Sequence, residues 1–182
     1  RVVFVGMSRL FVAIASMALT TACAARHEPV CPPGTKLAGG RPPKFAASWC
    51  EARGGTRHGP IVGYASSGAR LYEGAFASGL FHGSFVGYDR DGRVLGSVAL
   101  THGTGPWKLW HENGRLAQQG TYKNGKKEGR WVGYHENGKR AVEGTFVGGR
   151  AHGHFRWWSP DGALIDEAEY EDGRRTDRAA RE

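Results

Sequence analysis

The sequence predicts an all-β fold, a single-layer antiparallel β-meander of about five tandem hairpin repeats behind an export segment and a Cys/Pro-rich collar. Three observations predict it. Glycine supplies 29 of 182 residues and falls on three evenly spaced lines from residue 55 onward. The residues before two of those lines are turn formers. Aromatic residues recur at fixed offsets between the turns.

The chain opens on residues 1–22, which read as a signal peptide. Leu10–Leu19 is apolar and uncharged, follows Arg9, and is half the roughly 20 residues that a bilayer span requires. Thr20-Thr21-Ala22-Cys23 then offers a lipoprotein cleavage site, which makes Cys23 the lipidation candidate. Ordinary cleavage after Ala24 or Ala25 competes with it. Either outcome removes Cys23 from the odd count of three cysteines and leaves Cys31 and Cys50. An oxidising compartment favours a disulfide between that pair.

Residues 23–54 form the collar. Pro29, Pro32, Pro33, Pro42 and Pro43 crowd this stretch and argue against helix or central strand, because proline lacks the backbone donor. A stiff, cross-linked linker is expected.

Residues 55–173 carry the repeats. The first line is Gly59, Gly83, Gly105, Gly129 and Gly153; the second is Gly68, Gly92, Gly114, Gly138 and Gly162; the third is Gly79, Gly103, Gly125, Gly149 and Gly173. The period is 24 residues except for one step of 22, where Thr104-Gly105-Pro106 replaces a longer connection. The second line reads Ser67-Gly, Asp91-Gly, Asn113-Gly, Asn137-Gly and Asp161-Gly. Such dipeptides fit two-residue turns with positive φ, so the glycines of this line are read as structural turn residues. About two strands per repeat and ten overall follow.

Two residues after the first glycine stand Ile61, Phe85, Trp107, Trp131 and Phe155; five after it stand Tyr64, Tyr88, Trp110, Tyr134 and Trp158. Offsets of two and five differ in parity, which places the rows on opposite faces unless a bulge intervenes. Strand glycines such as Gly120 and Gly144 leave room for rings to lie flat. A single layer cannot hide both rows. Trp107, Trp110, Trp131, Tyr134, Phe155 and Trp158 are therefore the candidate binding surface. Residues 174–182 read as a polar cap.

This pattern resembles the membrane occupation and recognition nexus (MORN) repeat in its bacterial second variant. Gly129-Arg-Trp131-Val-Gly-Tyr134 through Gly144-Thr-Phe146 carries the likeness, and Gly105-Pro-Trp107 through Gly120-Thr-Tyr122 matches nearly as well. The whole chain is similar to exported members of the YwqK-type family, often catalogued as antitoxins. The resemblance implies a β-meander and a protein-binding or immunity role.

No catalytic site is read from the residues. His58, His82 and His152 share one repeat position, but equivalent positions lie two strands apart, about 9.5 Å, too far to share one zinc. His111-Glu112 and His135-Glu136 are not the helical H-E-x-x-H of a metalloprotease. No metal and no cofactor are expected, and the acidic run from Asp166 to Asp172 reads as protection of an edge strand. The formal charge of +8 favours anionic partners. The function expected is a non-enzymatic binding scaffold in the cell envelope, lipid-anchored or secreted, with a protein partner such as a toxin. The alternative is an anionic membrane surface or peptidoglycan glycan; nucleic acid is not expected.

Overall fold

The computed structural model describes residues 28–44 and 46–176. The leader with Cys23 and the tail from residue 177 lie outside the described residues. Every described element is a strand, and every paired strand is antiparallel to its neighbour.

The first sheet is built from β1 (Thr35–Gly39), β2 (Ala47–Ala52), β3 (Arg57–Tyr64), β4 (Arg70–Ala77), β5 (Leu80–Phe81), β6 (Gly83–Tyr88) and β7 (Val94–Leu100), hydrogen-bonded in chain order with β5 beside β4. The second contains β8 (Gly105–Trp110), β9 (Leu116–Lys123), β10 (Lys126–Tyr134), β11 (Arg140–Val147), β12 (Arg150–Trp158), β13 (Leu164–Glu171) and β14 (Arg174–Arg175) in the same simple succession. β5 and β6 are the two parts of one interrupted strand, so the repeat region holds the ten strands expected of it.

The collar departs from the expectation. It contributes β1 and β2, and β2 is a central strand between β1 and β3. The prolines do not prevent this because Pro29, Pro32 and Pro33 precede β1 while Pro42 and Pro43 lie in the β1–β2 connection. Cys50 on β2 is fully buried and bonded to Cys31.

The two turn lines also differ from one another. At the third line both central residues have positive φ, as in Asn124 (51°) and Gly125 (75°), the two-residue type I′ geometry. At the second line only the glycine does. Gly138 has φ 84°, its N–H donates to the His135 carbonyl at 2.8 Å, and the His135 N–H donates to the Lys139 carbonyl at 2.9 Å. That is a type I turn closed by a glycine bulge. The expected two-residue turn is thus corrected to a longer loop. The Asn137 Oδ1 accepts from the Lys139 N–H at 3.0 Å, the reason a short polar amide precedes the glycine.

The core is a row of rings along one face. Ring centroids run from Phe85 to Trp107 (4.4 Å), Trp107 to Tyr122 (5.3 Å), Tyr122 to Trp131 (5.0 Å), Trp131 to Phe146 (6.3 Å), Phe146 to Phe155 (5.4 Å) and Phe155 to Tyr170 (5.0 Å). Edge-to-face contact dominates, the geometry that the ring quadrupole favours. Strand glycines are the floor of this row. A Cβ on Gly120 would lie 2.3 Å from the Trp131 indole, and one on Gly144 would lie 2.3 Å from the Phe155 ring. Phe85, Trp131 and Phe155 each cover a glycine on a neighbouring strand, Gly74, Gly120 and Gly144, which lets one layer of rings bury itself.

The layer is not one sheet. Between β7 and β8 the ladder shrinks to a single bridge, Thr101 to Thr104. This is the place of the 22-residue step. Thr104 pairs with Thr101 as Lys126 pairs with Lys123, but the pairs that follow in β10, Lys127 with Tyr122 and Glu128 with Thr121, have no counterpart in β8. The ladder therefore stops after one bridge.

Candidate functional site

The six candidate ring positions separate into two sets. Trp107, Trp131 and Phe155 are buried, at 7%, 3% and 6% exposure, and belong to the core row. They do not form a surface, because rings from both adjacent strands close over them. Trp110, Tyr134 and Trp158 are half-buried. On β10 the register skips Ala141 of the partner strand between Gly133 and Tyr134, so that bulge falls on β11 and the alternation from Trp131 to Tyr134 survives. Trp131 and Tyr134 consequently face opposite sides.

On the second face Tyr88, Tyr134 and Trp158 are each held by a polar neighbour. The Tyr88 hydroxyl donates to the Glu73 carboxylate, the Arg70 guanidinium lies 3.6 Å from the Tyr88 ring centre, and Arg70 pairs with Glu73 at 2.8 Å. Gln119 Nε2 donates to the Tyr134 hydroxyl at 2.8 Å. Arg140 lies 5.3 Å from the Trp158 ring centre, and Glu143 accepts from both Arg130 and Arg140 at 2.8 Å. The backbone beneath the row is tied as well: His111 Nε2 donates to the Tyr134 carbonyl at 2.9 Å and His135 Nε2 to the Trp158 carbonyl at 2.7 Å. Trp110 differs. Its ring lies against Gly87 and Gly96 of the first sheet, where an added Cβ would approach it to 2.2 and 2.8 Å.

Electrostatics follow from these contacts. Burial pushes the Tyr88 phenol up to about 12, helped by its bond to Glu73 and by that carboxylate's charge, against the opposing pull of Arg70. The hydrogen bond from Arg130 holds Glu143 below its ordinary value, with Arg140 adding to it. Burial among the core rings lowers Lys127, whose Nζ lies 4.2 Å from the Trp131 ring centre. Residues 105–150 carry nine Lys/Arg against four Asp/Glu, whereas residues 151–173 carry one against six.

Two of the histidines before the first glycine line, His58 and His82, are turn caps. His58 Nδ1 accepts from the Ser78 N–H at 3.4 Å and His82 Nδ1 from the His102 N–H at 3.3 Å. Thr104 Oγ1 and Glu128 Oε2 take the same part toward Asn124 (2.9 Å) and Gly148 (2.8 Å). The acidic run is not a bare edge either. β14 pairs with Tyr170 and Glu171, and Arg175 clasps Asp166 through both oxygens at 2.8 and 3.1 Å.

Sequence reasoning missed Glu73, Gln119 and Glu143. Each lies five residues beyond a second-line glycine, a position also held by Ser97 and Glu167. A polar residue recurring beside a ring row was the readable signal.

The molecule is thus a tandem β-hairpin repeat protein. Three of its repeats, residues 104–124, 127–147 and 151–172, match the MORN repeat variant family. No curated protein matches the chain.

Proposed function

We propose that this chain is a non-enzymatic binding scaffold of the bacterial cell envelope, and specifically a YwqK-type immunity protein whose partner is a toxin acting in that compartment. MORN repeats generally serve binding or interaction, which supports the scaffold role. The carrying observation is the second-face row of Trp110, Tyr134 and Trp158. It offers one half-buried ring in each repeat of the second sheet, each fixed before any partner arrives. Rings held in place lose little freedom on binding, and aromatic anchors dominate protein interfaces. The polar groups beside them are engaged with the rings and with one another instead of converging on a shared cavity. Export with lipidation at Cys23 would put the row at a membrane surface.

The basic stretch 105–150 favours a second reading, in which the same face lies on anionic lipid or on peptidoglycan glycan. Cross-linking of the full chain in envelope extract separates the two. One saturable protein partner, lost when Trp110, Tyr134 and Trp158 are replaced by Ala in a variant that keeps its Tm, supports the scaffold. Retention on anionic vesicles or peptidoglycan alone supports the second reading, and binding to none of them defeats both. Mass spectrometry of the mature amino terminus tests the anchor; a terminus still carrying Leu10–Leu19 contradicts it.

A further inference from the structure

We propose that the array bends at the β7–β8 boundary, the two sheets moving as separate plates with Trp110 as the latch between them. Neighbouring strands elsewhere are joined by ladders, and a ladder resists bending because every degree of opening breaks several backbone hydrogen bonds. At this boundary one bridge remains, Thr101 to Thr104. The other direct ties are few: the Arg90 N–H donates to the Glu112 carbonyl at 3.1 Å, Ser67 reaches the Glu112 carboxylate at 3.3 Å, and in the turn itself the Gly103 N–H donates to the Phe81 carbonyl at 2.7 Å while the Gly103 carbonyl accepts from the Gly125 N–H at 2.9 Å. Side chains provide the rest. Trp107 packs on Phe81 and Phe85 at 5.1 and 4.4 Å, and Trp110 lies on the paired glycines Gly87 and Gly96.

Two details indicate that the observed closure is one of two arrangements. The Trp107 Nε1–H is buried and has no acceptor among the described residues, whereas the Nε1–H of its counterpart Trp131 donates to the Thr121 carbonyl at 3.1 Å. The residue equivalent to Thr121 one repeat earlier is Ala99, at the end of β7. A buried donor without an acceptor carries a desolvation cost comparable to the free-energy gaps that separate populated conformers. Further, Gly105 has φ 147° and its backbone is pressed on the Ala99 carbonyl, to which an added Cβ would approach within 2.6 Å. A shift of β8 along β7 would offer that carbonyl to the indole and unseat Trp110 from its glycines. Because Trp110 belongs to the second-face row, a partner spanning Trp110 and the first sheet would select one setting of the boundary.

Distances between spin labels test this in the full chain with Cys23→Ser. Labels at Val94 and Leu164 span the boundary, and labels at Lys108 and Leu164 lie within the second sheet; Val94 and Leu164 are 64% and 51% exposed. The expected result is a broad or two-peaked distribution for the spanning pair and a narrow one for the control. Trp110→Ala should broaden the first and leave the second unchanged, the control reporting that the second sheet stays folded. Insertion of two residues between Thr104 and Gly105, restoring the 24-residue period, should narrow the first. Equal widths for the two pairs, or a spanning distribution indifferent to Trp110→Ala while the control stays narrow, overturns the proposal. If the control broadens in Trp110→Ala, Trp110→Leu is the decisive variant, with the same two readings.

Discussion

The two sheets are built from one repeat yet hold themselves together by different means. From β8 to β13 the ladders follow one another with a ring on every strand of the core face, and the three MORN-variant matches all fall here. From β3 to β7 the pattern erodes. Ile61 stands where later repeats place an aromatic ring, Leu100 and Val98 replace a ring and its glycine, and β4 pairs with β6 at only two positions. What the first sheet lacks in repeat regularity it recovers from outside the repeat: two collar strands, a buried disulfide, and cations over rings, Arg57 on Trp49 at 4.6 Å and Arg41 on Tyr64 at 4.9 Å. Repeat consensus is therefore needed where neighbours are the sole support, and dispensable where a cap supplies it.

The largest effects should come from the ring row of the second sheet. Trp131→Ala removes a buried indole between Tyr122 and Phe146 and is expected to cost about 3–5 kcal/mol in urea unfolding. Because each repeat leans on the next, loss of protection against amide exchange should spread over β9–β12. Loss confined to β10 would show that these repeats do not couple. In the first sheet the comparable change is Cys31→Ser with Cys50→Ser, expected to cost about 3 kcal/mol. Its footprint should be β1–β3, with the unfolding of β10–β13 unmoved.

Gly138→Val comes next. A branched residue at φ 84° costs on the order of 1–2 kcal/mol, so the melting temperature should fall by a few degrees. An unchanged Tm would refute the bulged-turn geometry. The smallest effects are those of pH, and the sheets should differ in them. Glu143 is lowered from 4.5 in the folded state, so its contribution is complete above that pH and disappears as pH falls through the lower folded value. Glu143→Gln should flatten the acid limb of the second sheet's stability. Tyr88 is raised from 10.0 to about 12, so its contribution is complete below pH 10 and is lost as pH rises toward 12. Tyr72 and Tyr122 are raised by burial and add the same sign in either sheet. Tyr88→Phe should thus remove only part of the alkaline loss.

Much of this fold was legible in the sequence because its devices are local. Asn124-Gly125 fixes a reversal within two residues, and Gly144 eleven residues before Phe155 fixes a ring seat on the adjacent strand. The disulfide was legible by counting. The collar strands were not, since the prolines that argue against a strand bracket two short segments free of them. The face assignment was half legible: parity separated Trp131 from Tyr134, but which row is buried depends on how rings of neighbouring strands overlap. The boundary was visible as a 22-residue step, yet its consequence, a lost ladder, required the register of β8. His58 and Glu128 looked unrelated until both proved to accept a turn N–H, a role set by the next repeat rather than by the residue itself.

The central claim is that the two ring rows of the second sheet have different duties, one internal and one facing outward. Hydroxyl-radical footprinting of the folded chain, read residue by residue by mass spectrometry, tests it most directly. Trp107 and Trp131 should remain unmodified while Trp110, Tyr134 and Trp158 are oxidised. Equal modification of the two rows, or protection of Trp110 and Trp158 with oxidation of Trp131, would contradict it.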